Sequence, residues 1–534
     1  MRHAKEVYGA FALYGTYRQE RKIRKMKYAL RAEEMKAYDQ DTMERIGIPS
    51  VVLMERAALS VLQTFDEMKL SPGKVLIVAG VGNNGGDGLA LGRLLLERGW
   101  DTAIYMEGNP ERMTGETRLQ RKILENSGFS IQSKIEDREY DMVIDALFGI
   151  GLSREITGSC RELVEQVNHL RSQGALVCSL DIPSGICADD GRALGCCVHA
   201  DFTVTFAFAK IGHLLYPGRE FTGKLFVRDI GVTEKSFVCG KPSAFYYERG
   251  DLPSLLPKRQ RVGNKGTFGK VLLAAGSRDM CGACILCARA VLRAGAGMVK
   301  IITPACNREI LQQSVPEAML YTFEGLPEEE KVLRSMDWAD VIVAGPGMGT
   351  GQAGALLMEW ILKYKGASTP NKPSKGLPLV MDADALNLIA MNEEFWSLAK
   401  GREAILTPHP GELMRLLKKD RKAYQGRQEA LARELAELLS CTVAAKDAAS
   451  LVAAKGREEV YMNTSGNDGM ATAGSGDVLA GIIGGLLAQK MECFEAACLG
   501  VFLHGLAGEN ASERKGRFGM LAGDIAESVS LVTK

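Results

Sequence analysis

Short apolar runs alternate with amphipathic stretches through almost the whole chain, and that alternation restricts its fold more than any other feature. Residues 74–79 (KVLIVA), 102–106, 142–145, 176–181, 201–206 and 225–230 read as buried strands. Segments such as LALGRLLLERG and SCRELVEQVNHL read as helices between the earlier of them. A polar, proline-containing interval at 233–257 interrupts the pattern. It then resumes at 271–276, 299–303, 341–345, 379–382, 404–407, 442–445 and 459–462. Strands joined through helices imply a mostly parallel sheet covered on both faces. A chain of 534 residues has room for two such units. The expectation is an α/β protein of two three-layer αβα domains, 26–240 and 246–534, with the boundary near residue 245. Ligands in such folds bind at the C-terminal ends of the strands.

The glycine-rich stretch 463–485, NTSGNDGMATAGSGDVLAGIIGG, is the most informative of these strand ends. It leads from a strand into an apolar helix through Gly466, Gly469, Gly474 and Gly476. Backbone amides converging at a helix start favour a phosphate. Asp477 follows at once, as a cap or as a base. An anion site beside a carboxylate suits transfer of a phosphoryl group to a hydroxyl. The competing reading is a plain turn in which Asp477 only caps the helix.

Other strand ends of the second unit carry Gly345, Gly347 and Gly349 (GPGMG), Asp382, Asp384 and Asn387 (MDADALN), and His409 and Glu412 (TPHPGE). AAKDAAS places Lys446 in a loop suited to a nucleotide edge. In the first unit, GVGNNGGDG is expected to form an anion-binding turn at 82–88, although it is not the GxGxxG dinucleotide fingerprint. Asp145 lies at the end of a second strand, before the turn at Gly149 and Gly151; Asp181 and Ser184 lie at the end of a third. Asp after a strand commonly caps the next helix, but three such tips on one sheet make a site. Cys281, Cys284 and Cys287 share one helix and read as buried thiols rather than metal ligands, since no fourth cysteine follows at cluster spacing.

Charge and composition bound the rest. A net charge of +1, without a basic stripe beyond the N-terminus, offers no field for nucleic acid. No apolar run reaches the length of a membrane span. The 13 scattered cysteines suit reduced thiols in a cytoplasm. Residues 1–25, which include Arg18, Arg21, Lys22, Arg24 and Lys25, lack a secretory apolar core and read as a solvated, partly helical extension.

GNNGGDG, DALFGIGL and DIPSG, with GPGMG, TPHPGE and NTSGNDGMATAGSGD, together resemble the bifunctional NAD(P)H-hydrate repair enzymes. In that family an NAD(P)H-hydrate epimerase is fused to an ADP-dependent NAD(P)H-hydrate dehydratase. The resemblance covers nearly all of the chain from Met26 onward. It implies a Rossmann-like epimerase fold and a ribokinase-like dehydratase fold. The substrates it implies are the hydrates of NADH and NADPH together with ADP, and a homo-oligomer is expected. In the epimerase, Asn83, Asn84, Gly85, Gly86 and Asp87 would hold the hydrate. So would the turn of Gly149, Ile150, Gly151, Leu152, Ser153, Arg154 and Glu155, with Asp181 handling the proton. Asn84, Asp145 and Ser184 would bind potassium (K+). In the dehydratase, Ala283, Gly347, His409 and Asp477 would line the hydrate, with Asp477 as base. Lys446, Asp447, Ala448, Ala449, Ser450 and Gly476 would hold ADP, which would bring magnesium (Mg2+).

Arg56 stands where the family pattern has Asn, Asn264 where His commonly precedes KG, and AAKDAAS where an LKG pattern is usual. Two other readings stay open on the sequence. One is an ATP-dependent kinase of a vitamin precursor; the other makes the first unit a non-catalytic nucleotide-binding module.

Overall fold

The structure, a computed structural model, describes residues 27–238, 240–366, 376–424 and 426–534. The extension expected at 1–25 lies outside the described residues. Two sheets organise the fold. The first is six-stranded and parallel throughout, in the order Asp101–Met106, Lys74–Ala79, Met142–Ala146, Leu176–Leu180, Phe202–Phe206, Lys224–Arg228. Both faces are buried, as the continuous apolar runs require: Val75 and Ile77 enter one core, Leu76 and Val78 another.

The second sheet is twelve-stranded. Its parallel part runs Met319–Phe323, Met298–Pro304, Lys270–Ala274, Val341–Ala344, Leu379–Met381, Ala404–Leu406, Thr442–Ala445. Antiparallel Leu451–Ala454 and Val460–Met462 follow. The sheet continues through Ala244–Tyr246, Lys27–Leu30 and Ala209–Lys210. Three short strands from the first half of the chain thus extend the sheet of the second half. The strand at the expected boundary, Ala244–Tyr246, pairs with Lys27–Leu30 on one side and Val460–Met462 on the other.

In the parallel part of each sheet the strand order reverses at one place, between Lys74–Ala79 and Met142–Ala146 and between Lys270–Ala274 and Val341–Ala344. A crevice opens at such a point because the two connecting segments leave in opposite directions. The glycine-rich start of Asn83–Glu97 sits at the first, and the Gly345–Gly349 turn, bonded to Ala274 and Gly276, sits at the second.

The helix Ser475–Ala488 is buried along nearly its whole length and packs on Cys281–Arg293. Cys284 and Cys287 are fully buried, and each cysteine among the described residues is a free thiol. A β-carbon at Gly481 would lie 2.4 Å from the Cys287 carbonyl oxygen. Gly481→Val is therefore expected to destabilise the protein by about 1–3 kcal/mol, as overpacked cores do. Thermal unfolding reads this, and a variant melting with the parent would contradict the close helix contact.

Candidate active sites

At the crevice of the first sheet the helix Asn83–Glu97 begins at Asn83, so Gly85 to Gly88 lie in its first turns rather than in an open loop. Glycine is what lets the helix start abut the strand end: a β-carbon at Gly85 would lie 1.8 Å from the Gly80 carbonyl oxygen. Asp145 is inside its strand and buried. Its carboxylate accepts from Ser179 Oγ at 2.8 Å, the Ser184 amide at 2.8 Å, Ser184 Oγ at 2.6 Å and the Leu147 amide at 3.3 Å. Burial nevertheless pushes its pKa up. Ser184 Oγ also accepts from the Phe148 amide at 2.9 Å. Next to Phe148, a β-carbon at Gly149 would lie 3.2 Å from Asn84 Cβ. The Asn84 amide is buried, and neither its oxygen nor its nitrogen has a hydrogen-bond partner. Asn84, Asp145 and Ser184 thus come together around the Phe148–Gly149 turn. Residues 151 and 153–155 form an exposed rim beside it.

Asp181 sits just beyond its strand, with a left-handed φ of 63°. Its carboxylate accepts from Thr205 Oγ1 at 3.0 Å and from the buried ammonium of Lys210. Burial alone would raise its pKa; the Lys210 charge outweighs that and holds it below the usual carboxylate range. Asp87, on the glycine-rich helix, is pushed the other way by burial and by the Asp181 and Asp39 charges. Arg56 takes no part: its guanidinium donates to the Ile230 carbonyl at 3.1 Å.

At the carboxyl ends of the second sheet's strands, the helix Ser475–Ala488 starts from Gly474, whose φ is 90°. Asp477 is in the first turn, not at the cap. Val478 is bonded back to the Gly474 carbonyl at 3.1 Å. The amides of Gly476 and Asp477 meet no acceptor among the described residues, which leaves two donors at the positive end of a helix dipole. Burial, then the neighbouring Asp382 charge, lift the Asp477 carboxyl to about 7, with Lys446 opposing and Asp384 and Glu412 adding.

Lys446 ties the site together. Its ammonium donates to Asp382 at 2.6 Å and stands 4.0 Å from Glu412. A β-carbon at Gly476 would lie 3.1 Å from Lys446 Nζ. Asp382 also accepts from Thr407 Oγ1 at 2.7 Å. Asp384 accepts from the Gly349 amide at 2.8 Å. His409 caps the helix Pro410–Leu416, its Nδ1 accepting from Gly411 N at 3.0 Å, with Nε2 3.4 Å from Glu412. Burial and Lys446 keep its pKa low. Gly347 and Ala283 adjoin, since a β-carbon at the glycine would lie 3.0 Å from Ala283 Cβ. Of the 446–450 loop, Lys446 faces the glycine helix, whereas Asp447 accepts from Tyr424 at 2.7 Å and Gln428 at 2.6 Å and the Ala449 side chain is buried.

Sequence reasoning missed Lys210, Thr205 and Asp39 in the first site and Thr407 in the second. FAFAKIGH carries a lone lysine in an apolar run, which is the one signal that could have drawn attention to Lys210.

A family model described as NAD(P)H-hydrate dehydratase matches residues 271–530. One described as YjeF-related protein N-terminus matches residues 50–212. The chain is 34% identical over 527 residues to a bifunctional NAD(P)H-hydrate repair enzyme of Moorella thermoacetica, with 95% of this chain and 97% of that one covered. Its counterpart in Thermofilum pendens is 36% identical over 510 residues, covering 92% and 93%. That of Escherichia coli is 31% identical over 506 residues, covering 94% and 93%.

Proposed function

Since the chain belongs to the bifunctional NAD(P)H-hydrate repair enzymes, we propose that its two crevices divide the repair between them. Residues 26–240 interconvert the two epimers of NAD(P)H hydrate, and residues 246–534 dehydrate one epimer at the expense of ADP. The observation that carries the second assignment is Asp477 beside two amides without acceptors, at the carboxyl ends of its sheet's strands, where Gly476 faces Lys446 and Asp382.

A hydrated nicotinamide carries a hydroxyl at C6, and hydroxide is a poor leaving group. Asp477 takes the hydroxyl proton as the oxygen attacks the terminal phosphoryl group of ADP. The amides of Gly476 and Asp477 and the Lys446 ammonium face the charge that develops. Phosphate then leaves with the C6–O electron pair, pushed by the ring nitrogen. Loss of a C5 proton restores the dihydronicotinamide, with AMP and phosphate as the other products. Ala283, Gly347 and His409 line the hydrate, and residues 446–450 with Gly476 hold the nucleotide. Mg2+ would arrive on ADP and neutralise its phosphates. Among the described residues no three acidic, His or Cys side chains gather to hold a metal by themselves, and this ion is commonly held by one or two carboxylates plus phosphate.

In the first crevice, residues 83–87 and 149–155 hold the hydrate, and Asp181 handles the proton. The donor set fits K+: the unpartnered Asn84 oxygen, one carboxylate and the Ser184 hydroxyl are all hard oxygens with a single formal charge. Such an ion would fasten the turn at 148–149 to the glycine-rich helix and offset substrate phosphate.

Incubation with NADH hydrate and ADP should restore the absorbance of the reduced ring and release AMP; recovery with ATP alone would favour a kinase-type nucleotide use. The pH profile gives a finer test. Asp477 must be ionised to act, so dehydration should fall as pH drops below about 7. Lys446 lowers that value, so Lys446→Met should move the acidic limb upward at saturating ADP. An unmoved limb would separate Lys446 from the base.

A further inference from the structure

One buried lysine and one half-buried carboxyl at the first site have no role in the reading above. Lys210 is 1% exposed, and its ammonium is divided among Asp181, Thr205 Oγ1 at 2.8 Å and the Phe206 carbonyl at 3.2 Å. A lysine so enclosed cannot reach a substrate itself; it fixes the carboxylate that can. The short strand Ala209–Lys210 pairs with Lys27–Leu30, Lys210 lying opposite Leu30. Directly after that strand comes the helix Ala32–Asp41, which carries Asp39. The Asp39 carboxyl has no hydrogen-bond partner among the described residues, and the charges of both Lys210 and Asp181 act on it. It precedes the segment matched by the first-domain family model, which begins at residue 50.

We propose that Lys210 positions Asp181 as the proton acceptor of the epimerisation and that Asp39 faces this pair as the proton donor. The proposal rests on the reading of Asp181 as the proton-handling group. C6 of the hydrate bears both its hydroxyl and the ring nitrogen, so it can invert without oxidant or reductant. Asp181 takes the hydroxyl proton while the C6–N1 bond breaks. Its electron pair passes to N1, which takes the proton of Asp39, and an open-chain aldehyde results. Rotation about C5–C6 presents the other carbonyl face. N1 then re-attacks C6, its proton returns to Asp39, and Asp181 returns the first proton to the new hydroxyl oxygen. Both carboxyls end as they began.

The surroundings divide the roles. Lys210 keeps Asp181 ionised, whereas burial, with the Asp181 charge adding and Lys210 opposing, brings Asp39 to about 7, where a proton is readily given and regained. Asp87 is fully enclosed and is also pushed up, by burial first and then by the Asp181 and Asp39 charges, with Lys210 opposing. His213 receives the Lys210 backbone N–H on Nδ1 at 3.0 Å and is neutral, its pKa lowered to about 3 by burial.

The test uses the full chain and one purified hydrate epimer, following the pH dependence of epimerisation, with dehydration of the other epimer as a control for folding. Lys210→Gln should lower the rate by about 10²-fold or more. It should also move the acidic limb upward, because Asp181 loses the cation that keeps it ionised; Lys210→Arg should restore the limb. Asp39→Asn should lower the rate at least about tenfold and abolish the fall in rate above pH 7. A wild-type profile in Lys210→Gln overturns the positioning role. A retained basic limb in Asp39→Asn, or its loss only in Asp87→Asn, overturns the donor. Asp181→Asn separates this proposal from its premise: an active Asp181→Asn enzyme sinks both, while an inactive one beside unaffected Lys210 and Asp39 variants sinks the proposal alone.

Discussion

Asp477→Asn is expected to lower ADP-dependent dehydration by about 10²- to 10⁴-fold while leaving hydrate binding within a few-fold of the parent. The substitution keeps the size and the hydrogen-bonding reach of the side chain and removes only its capacity to take a proton. Nothing structural should collapse, because Gly474, not Asp477, holds the cap position and the helix behind it is anchored by burial. A capping role predicts the opposite pattern, a small loss of stability with turnover intact. The parent should already show its base in the rate, since a carboxyl lifted to about 7 is half protonated near neutrality. Single-turnover rates with ADP, alongside calorimetric binding of the hydrate, separate the outcomes. Turnover near the parent's would take Asp477 out of the chemistry.

Epimerisation should depend on K+, and Asp145→Ala should abolish that dependence together with most of the rate, while dehydration of the correct epimer continues. The difficulty is that Asp145 accepts four hydrogen bonds inside the sheet. Its removal strands buried donors at about 1–3 kcal/mol each, so a rate loss alone would not identify an ion. Asn84→Ala resolves this. The Asn84 amide is buried without a partner, so deleting it breaks no protein hydrogen bond. If no cation serves that oxygen, the variant should be as stable as the parent or more so, and its rate equally indifferent to K+. With a cation, Asn84→Ala should need several-fold more K+ for half-maximal rate, at an unchanged melting temperature in choline. Burial disfavours the charged form of Asp145, and a bound cation acts against it, which gives the ion a further physical reason to be there. A parent enzyme with equal rates in K+ and choline would remove the site.

Most of the parallel strands and both glycine-rich helix starts were legible because each is written locally, as an apolar run of fitting length or as glycines ahead of a helix. Lys74–Ala79 and Thr442–Ala445 appear at the expected residues. Met319–Phe323 and Leu451–Ala454 went unnoticed as well, and three further strands are of another kind. Ala209–Lys210 is too short to show a period, and Lys27–Leu30 and Ala244–Tyr246 sit in segments that read as a domain start and a connecting stretch. What makes them strands is a partner far along the chain. The same holds for the site. Asp181 and Asp477 stand beside recognisable turns, whereas Lys210 and Asp39 acquire their meaning only when Lys27–Leu30 pairs with Ala209–Lys210. The offset at Asp477, expected at the helix opening and found in its first turn, arises because Gly474 takes the left-handed conformation and starts the helix earlier.

The twelve-stranded sheet also imposes an order of events on synthesis. Of that sheet's strands Lys27–Leu30 is made first, yet its neighbours are Ala209–Lys210 and Ala244–Tyr246, and Lys27 reaches across 221 positions to pair with Glu248. Ala244–Tyr246 in turn leans on Val460–Met462, made near the end. The oldest segment therefore waits for one of the youngest, and the two halves mature together rather than in succession. Split onto two polypeptides, each half would carry a bare strand edge, open to pairing with any other chain.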